Sequence, residues 1–83
     1  MNVEISPHAR DTMAIRGATE AEVLETIRDG QRESARLSRV MYRKNFAFDA
    51  EWEGQRYRIK QVAPVVAVES DRLVVVTVYV FYF

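Results

Sequence analysis

The chain has 83 residues, with 12 basic and 12 acidic side chains, one histidine and no cysteine. That length allows one domain, residues 1–83, with a modest core. The missing cysteines exclude disulfides and thiolate zinc sites, and a single histidine makes a poor metal centre, so no metal and no cofactor is expected. A neutral balance is not that of an obvious nucleic-acid binder, and no apolar run approaches the ~18 residues of a membrane span.

Residues 2–5 alternate and suit a short edge strand. Ser6-Pro7 then reads as a helix start, a serine N-cap followed by proline at the first helical position, where its missing N–H costs nothing. The helix is predicted over about 7–16, closed by Gly17 in the left-handed conformation. Thr19 and Glu22 have the spacing of a capping box and open a second helix over about 20–29, with Val23, Leu24 and Ile27 as its buried stripe and Gly30 at its end.

Charge is polarised along the chain. Residues 1–25 hold Arg10 and Arg16 against five acids, whereas the stretch from Arg28 to Lys44 holds Arg28, Arg32, Arg36, Arg39, Arg43 and Lys44 against Asp29 and Glu33. No apolar stripe accompanies these arginines, so the helix is not extended through Gly30.

From Tyr42 the period becomes two. Tyr42, Phe46, Phe48, Ala50 and Trp52 point one way, and Lys44 interrupts the set. A strand is predicted over about 41–52, a hairpin turn at Glu53-Gly54 and a second strand over about 55–68. In that second strand Arg56, Arg58 and Lys60 share a face, and Pro64 marks a bulge or an edge position. The last strand, about 73–82, is apolar on both sides. Strict alternation places Val74, Val76, Val78 and Val80 on one face and Leu73, Val75, Thr77, Tyr79, Phe81 and Phe83 on the other. The predicted class is α+β: two short N-terminal helices on one face of a three- to four-stranded antiparallel sheet. With two helices to cover one face, the apolar last strand and its Phe81-Tyr82-Phe83 ending point to a homo-oligomer joined there.

The run Ile5-Ser6-Pro7-His8-Ala9-Arg10, then Met13, Arg16-Gly17, the Thr19–Ile27 helix, Tyr57-Arg58-Ile59 and Leu73 through Tyr79 resembles the small bacterial family catalogued as domain of unknown function 4258, over roughly residues 4–80. That family is similar to the RelE, ParE and BrnT toxins and to the wider barnase-like ribonuclease group. The resemblance implies a cytoplasmic, toxin-like, metal-independent RNA endonuclease or a descendant with that fold, with RNA or the ribosome as target and an antitoxin protein as partner. Fold alone does not settle this, since ParE-like proteins are not ribonucleases.

Metal-free RNA cleavage needs a base, an acid and cations for the phosphate. His8, at a helix N-terminus that disfavours imidazolium, suits the base; equally, it could hydrogen-bond the turn between helix and sheet. Arg58, Thr77 and Tyr79 complete the candidate catalytic set, and Arg16, Arg56 and Lys60 could hold phosphate. Alternation alone also makes the basic strand face a solvated one. Arg16 could instead anchor the interhelical turn through helix carbonyls or Glu20, and Thr77 and Tyr79 could be ordinary sheet residues. The alternative to the enzyme is a small dimeric protein-interaction module without catalysis.

Overall fold

Both helices form where their caps place them. In the computed structural model, which describes residues 2–83, Ser6 is extended (φ −66°, ψ 157°) and its Oγ accepts from the Ala9 N–H, opening α1 (Pro7–Arg16). Gly17 closes it at φ 84°, its N–H bonded to the Met13 carbonyl at 2.8 Å. Thr19 and Glu22 exchange both bonds of the capping box and open α2 (Glu20–Asp29).

The remaining elements are five strands: β1 (Asn2–Ile5), β2 (Gln31–Ser34), β3 (Val40–Trp52), β4 (Gln55–Val68) and β5 (Arg72–Tyr82). They form one sheet in the order β1-β5-β4-β3-β2. The α+β class holds, but the sheet has five strands and is mixed, because β1 runs parallel to the start of β5. The added strand β2 pairs antiparallel with β3, Gln31 opposite Arg43, and all four of its residues are exposed. A strand with no buried face carries no apolar period, so nothing in its composition announces it. Between β2 and β3 lies a single turn at Arg36–Ser38, followed by Arg39.

Glu53 (φ 50°) and Gly54 (φ 82°) make the two-residue hairpin turn with both φ angles positive, the form whose twist matches that of the flanking strands. Pro64 is buried inside central strand β4, opposite Val78, and the register slips one step later, at Val65/Val66. There Val65 faces Thr77 and Val66 faces Val75, so Val76 is an extra residue on β5. A bulge resets the side-chain parity of its strand. Consequently Val75 and Val78 both lie in the core, and the two unbroken faces expected for β5 do not exist.

The core lies between the helices and one sheet face. Ala9 and Met13 of α1, Val23 of α2, Val62 and Val66 of β4, and Val75 and Val78 of β5 form it, with Tyr42, Phe46 and Val80 packed alongside. Lys44 interrupts the apolar side of β3 because its ammonium meets Glu25 of α2 at 2.7 Å. Within the described residues, no helix is long and apolar enough to cross a membrane.

Candidate interaction site

Of the residues singled out for phosphate chemistry, the structure brings Arg16 to the Tyr79 ring and does not gather the set at one point. His8 is exposed near the start of α1, without a hydrogen-bond partner among the described residues, so it does not bond the turn between helix and sheet. Arg16 lies at the other end of the helix, about 12 Å away at ~1.5 Å per residue. Thr77 stands beside Val78 on β5, and Arg58 lies at the far end of that strand, its N–H bonded to the Phe83 carbonyl. Thr77 to Phe83 is about 20 Å of strand at ~3.3 Å per residue.

The shared face of Arg56, Arg58 and Lys60 is also corrected. Arg56 and Arg58 are exposed, Arg56 reaching the Asp49 carbonyl at 2.9 Å, whereas Lys60 is only 7% exposed. Its ammonium contacts Glu22 at 2.8 Å, donates to the Gly17 carbonyl at 3.0 Å and lies 5.5 Å from the Phe48 ring centre. Lys60 therefore ties the helix–helix turn to the sheet and is not available to a phosphate. Much of the basic middle segment is committed too. Arg28 pairs with Asp29, whose carboxyl is held below its ordinary pKa chiefly by that hydrogen bond, and Arg43 bridges Glu33 and Gln61.

Three polar side chains of the N-terminal segment treat β5 as a neighbouring strand would. Ser6 Oγ donates to the Val76 carbonyl, Thr12 Oγ1 accepts from the Val78 N–H at 3.2 Å, and Arg16 Nη1 donates to the Val78 carbonyl at 2.8 Å. Arg16 was expected to anchor the interhelical turn; that turn is held by Lys60 and by Arg10 with Glu20. Instead Arg16 reaches round the sheet edge, its guanidinium 5.0 Å from the centre of the Tyr79 ring. The sequence signal for this contact was a threonine inside the helix; in the structure the Thr12 hydroxyl donates to the Ala9 carbonyl while accepting from the Val78 N–H.

Cover stops at Val78. Along β5 the residues 79, 81 and 83 face Ala63, Gln61 and Ile59 of β4, and Phe83 and Ile59 exchange both main-chain bonds. In an antiparallel ladder the intervening residues direct their N–H and C=O groups the other way. For Val80 and Tyr82 that direction is outward, where no main-chain or side-chain partner lies among the described residues. Beside this free edge runs a groove of about 640 Å³ between Ile15 and Arg16 on one side and Trp52, Glu53 and Tyr57 on the other.

Aromatic packing sets the groove's shape. Trp52 stacks on Tyr82 with ring centres 5.1 Å apart, and the Tyr82 hydroxyl donates to the Arg16 carbonyl at 2.7 Å. On the opposite sheet face Tyr79 and Phe81 stack at 6.5 Å, with Arg43 5.5 Å above Phe81. Ile15 is 74% exposed, Phe81 42% and Phe83 57%. Trp52, Glu53 and Ile15 were not anticipated as site residues, because their shared groove depends on how the α1 end meets the β3–β4 hairpin.

Burial first, then the charges of Glu22 and Glu53, push the Tyr82 phenol above its ordinary pKa. A folded-state value above the unfolded one, about 10, means that stability is fully present below that pH and is lost as pH rises through the folded value. Tyr82→Phe is therefore expected to lose about 1 kcal/mol at neutral pH, the net worth of one hydrogen bond, and to be less alkali-sensitive than the parent above about pH 10. Thermal melting across pH 7–11 checks this; parallel alkaline limbs would contradict it.

No family model, curated protein or solved structure matches the chain. Its function is therefore argued from the geometry of this edge and groove.

Proposed function

We propose that the chain is a non-catalytic interaction module, and that it works through the free end of β5 and the aromatic groove beside it. The observation that supports this reading is the pair of unsatisfied main-chain positions, Val80 and Tyr82, bordered by exposed Ile15, Phe81 and Phe83. An edge of this kind is a template for another strand. The rest of the sheet margin is protected in recognisable ways. β2 is short, exposed and charged through Arg32 and Glu33; β1 is four residues long; and the Val76–Val78 stretch is capped by Ser6, Thr12 and Arg16. The last stretch of β5, by contrast, combines free main-chain groups with apolar flanks.

An RNA-cleaving role, the expectation drawn from the resemblance, would require His8, Arg58, Thr77 and Tyr79 to meet at one phosphate, and they are spread along the molecule. The test uses one variant. His8→Ala should melt within about 0.5 kcal/mol of the parent, as for an exposed side chain without partners. Neither protein should cleave RNA, free or on ribosomes. Chelator-resistant cleavage that the variant loses by about 10²–10⁴-fold, the usual worth of general acid–base catalysis, would overturn the non-catalytic reading.

A further inference from the structure

We infer that the occupant of the β5 edge is a second copy of this chain, paired antiparallel about a two-fold axis at Phe81. This rests on the reading of that edge as the working surface. The argument for a second copy is self-complementarity in hydrogen bonding and in charge. With Phe81 on the axis, Val80 of each copy lies opposite Tyr82 of the other. All four outward N–H and C=O groups of each copy are then satisfied reciprocally, as in any hydrogen-bonded antiparallel pair.

Charge follows the same symmetry. Arg16 is anchored at the Val78 end of the groove, and Glu53 stands at the Tyr82 end, close enough to act on its phenol. Rotation about Phe81 exchanges the two ends and sets each Arg16 towards the other copy's Glu53. The chain's charges balance overall, so nothing opposes the approach of two copies, whereas a strongly acidic or basic partner gains no general attraction. The apolar flanks match as well: exposed Ile15, beside Arg16, moves towards the partner's Trp52, and the Tyr79–Phe81 stack continues across the axis on the opposite sheet face. The result is one continuous ten-stranded sheet with the helices of both copies on the same side.

The register can be read by single cysteines, since the chain has none of its own. Phe81 on the axis forms a non-hydrogen-bonded pair with its own copy, Cα atoms about 4.5 Å apart, within the ~4.4–6.8 Å that a disulfide spans. Tyr79 would lie roughly 14 Å from its own copy, beyond reach, but opposite Phe83 of the partner. Under mild oxidation Phe81→Cys should give a disulfide-linked dimer and Tyr79→Cys alone should not. A mixture of Tyr79→Cys and Phe83→Cys should cross-link between the two proteins, and sedimentation of the parent should show a concentration-dependent dimer.

A monomer at all concentrations, or cross-linking of Tyr79→Cys equal to that of Phe81→Cys, would overturn the inferred pairing. Amide exchange in dilute solution separates that failure from failure of the underlying reading. If the Val80 and Tyr82 amides exchange freely in such a monomer, the second copy is the wrong occupant and the edge stays open to another protein. If they are already protected in the monomer, the edge is not free and the interaction reading falls with the pairing.

Discussion

Lys60→Met is expected to lower the unfolding free energy by about 3 kcal/mol, the lower end of what breaking a buried ion pair costs, because Glu22 is left with its charge largely desolvated. The pair is nearly enclosed, Lys60 and Glu22 side chains being 9% and 20% exposed. Glu22 also accepts from the Thr19 N–H at 2.9 Å, so the same carboxylate starts α2 and grips the sheet. Adding Glu22→Gln should restore most of the loss, since glutamine keeps the capping bond and removes the orphaned charge. Urea unfolding of the parent, both single variants and the double checks this. A loss below about 1 kcal/mol for Lys60→Met would mean that the pair behaves as an exposed surface bridge.

Gly17→Ala should be similarly costly, and for a reason that reaches the groove. Gly17 sits at φ 84°, and a Cβ there would come within 2.6 Å of the Tyr82 hydroxyl oxygen and 2.9 Å of the Trp52 ring. The left-handed backbone costs an L-residue about 1–2 kcal/mol, and displacing packed rings adds about 1–3 kcal/mol, so a total of about 2–5 kcal/mol is expected. Gly54→Ala is the control. Its φ is 82°, but a Cβ there meets nothing within 4 Å, so only the backbone part should appear. Trp52 is the sole tryptophan, and its emission should shift in Gly17→Ala but not in Gly54→Ala. Equal destabilisation by the two substitutions would show that the rings beside Gly17 do not constrain it.

The local signals were legible because each has a strong physical cause. Ser6-Pro7, the Thr19–Glu22 box and Glu53-Gly54 act within a few residues, and the elements they delimit follow their predicted bounds closely: α1 at Pro7–Arg16, α2 at Glu20–Asp29 and β4 at Gln55–Val68. What escaped depends on contacts between distant segments. Gln31–Ser34 is a strand only because Tyr42 and Arg43 offer it a ladder, and its own residues have no apolar period. The bulge at Val76 leaves no trace in Val74-Val75-Val76, where every residue is the same, so the strand's change of parity could not be seen. Alternation grouped Lys60 with Arg56 and Arg58; its burial follows from Glu22 and the Gly17 carbonyl, which only folding brings to it.

The candidate site divides along the same line. Phe81, Tyr82 and Phe83 drew attention as apolar residues with nothing evident to cover them, and Phe81 and Phe83 are indeed exposed, while Tyr82 is half-buried beneath Trp52. Their neighbours could not be read in advance. Ile15, Arg16 and Glu53 come from a helix end and a hairpin turn, and the free edge itself exists because the side-chain cover supplied by Ser6, Thr12 and Arg16 stops at Val78.

The most direct test is an isotope-filtered NOE measurement on a mixture of labelled and unlabelled protein, concentrated enough to populate the assembly. Pairing of the β5 edges about Phe81 places the Hα atoms of the two Phe81 residues face to face across a non-hydrogen-bonded pair. The expected result is an intermolecular Phe81 Hα–Phe81 Hα contact, with slowed exchange of the Val80 and Tyr82 amides in the same sample. Absence of any intermolecular contact along residues 79–83, or contacts confined to the Gln31–Ser34 edge, would contradict the assignment of β5 as the surface through which two copies join.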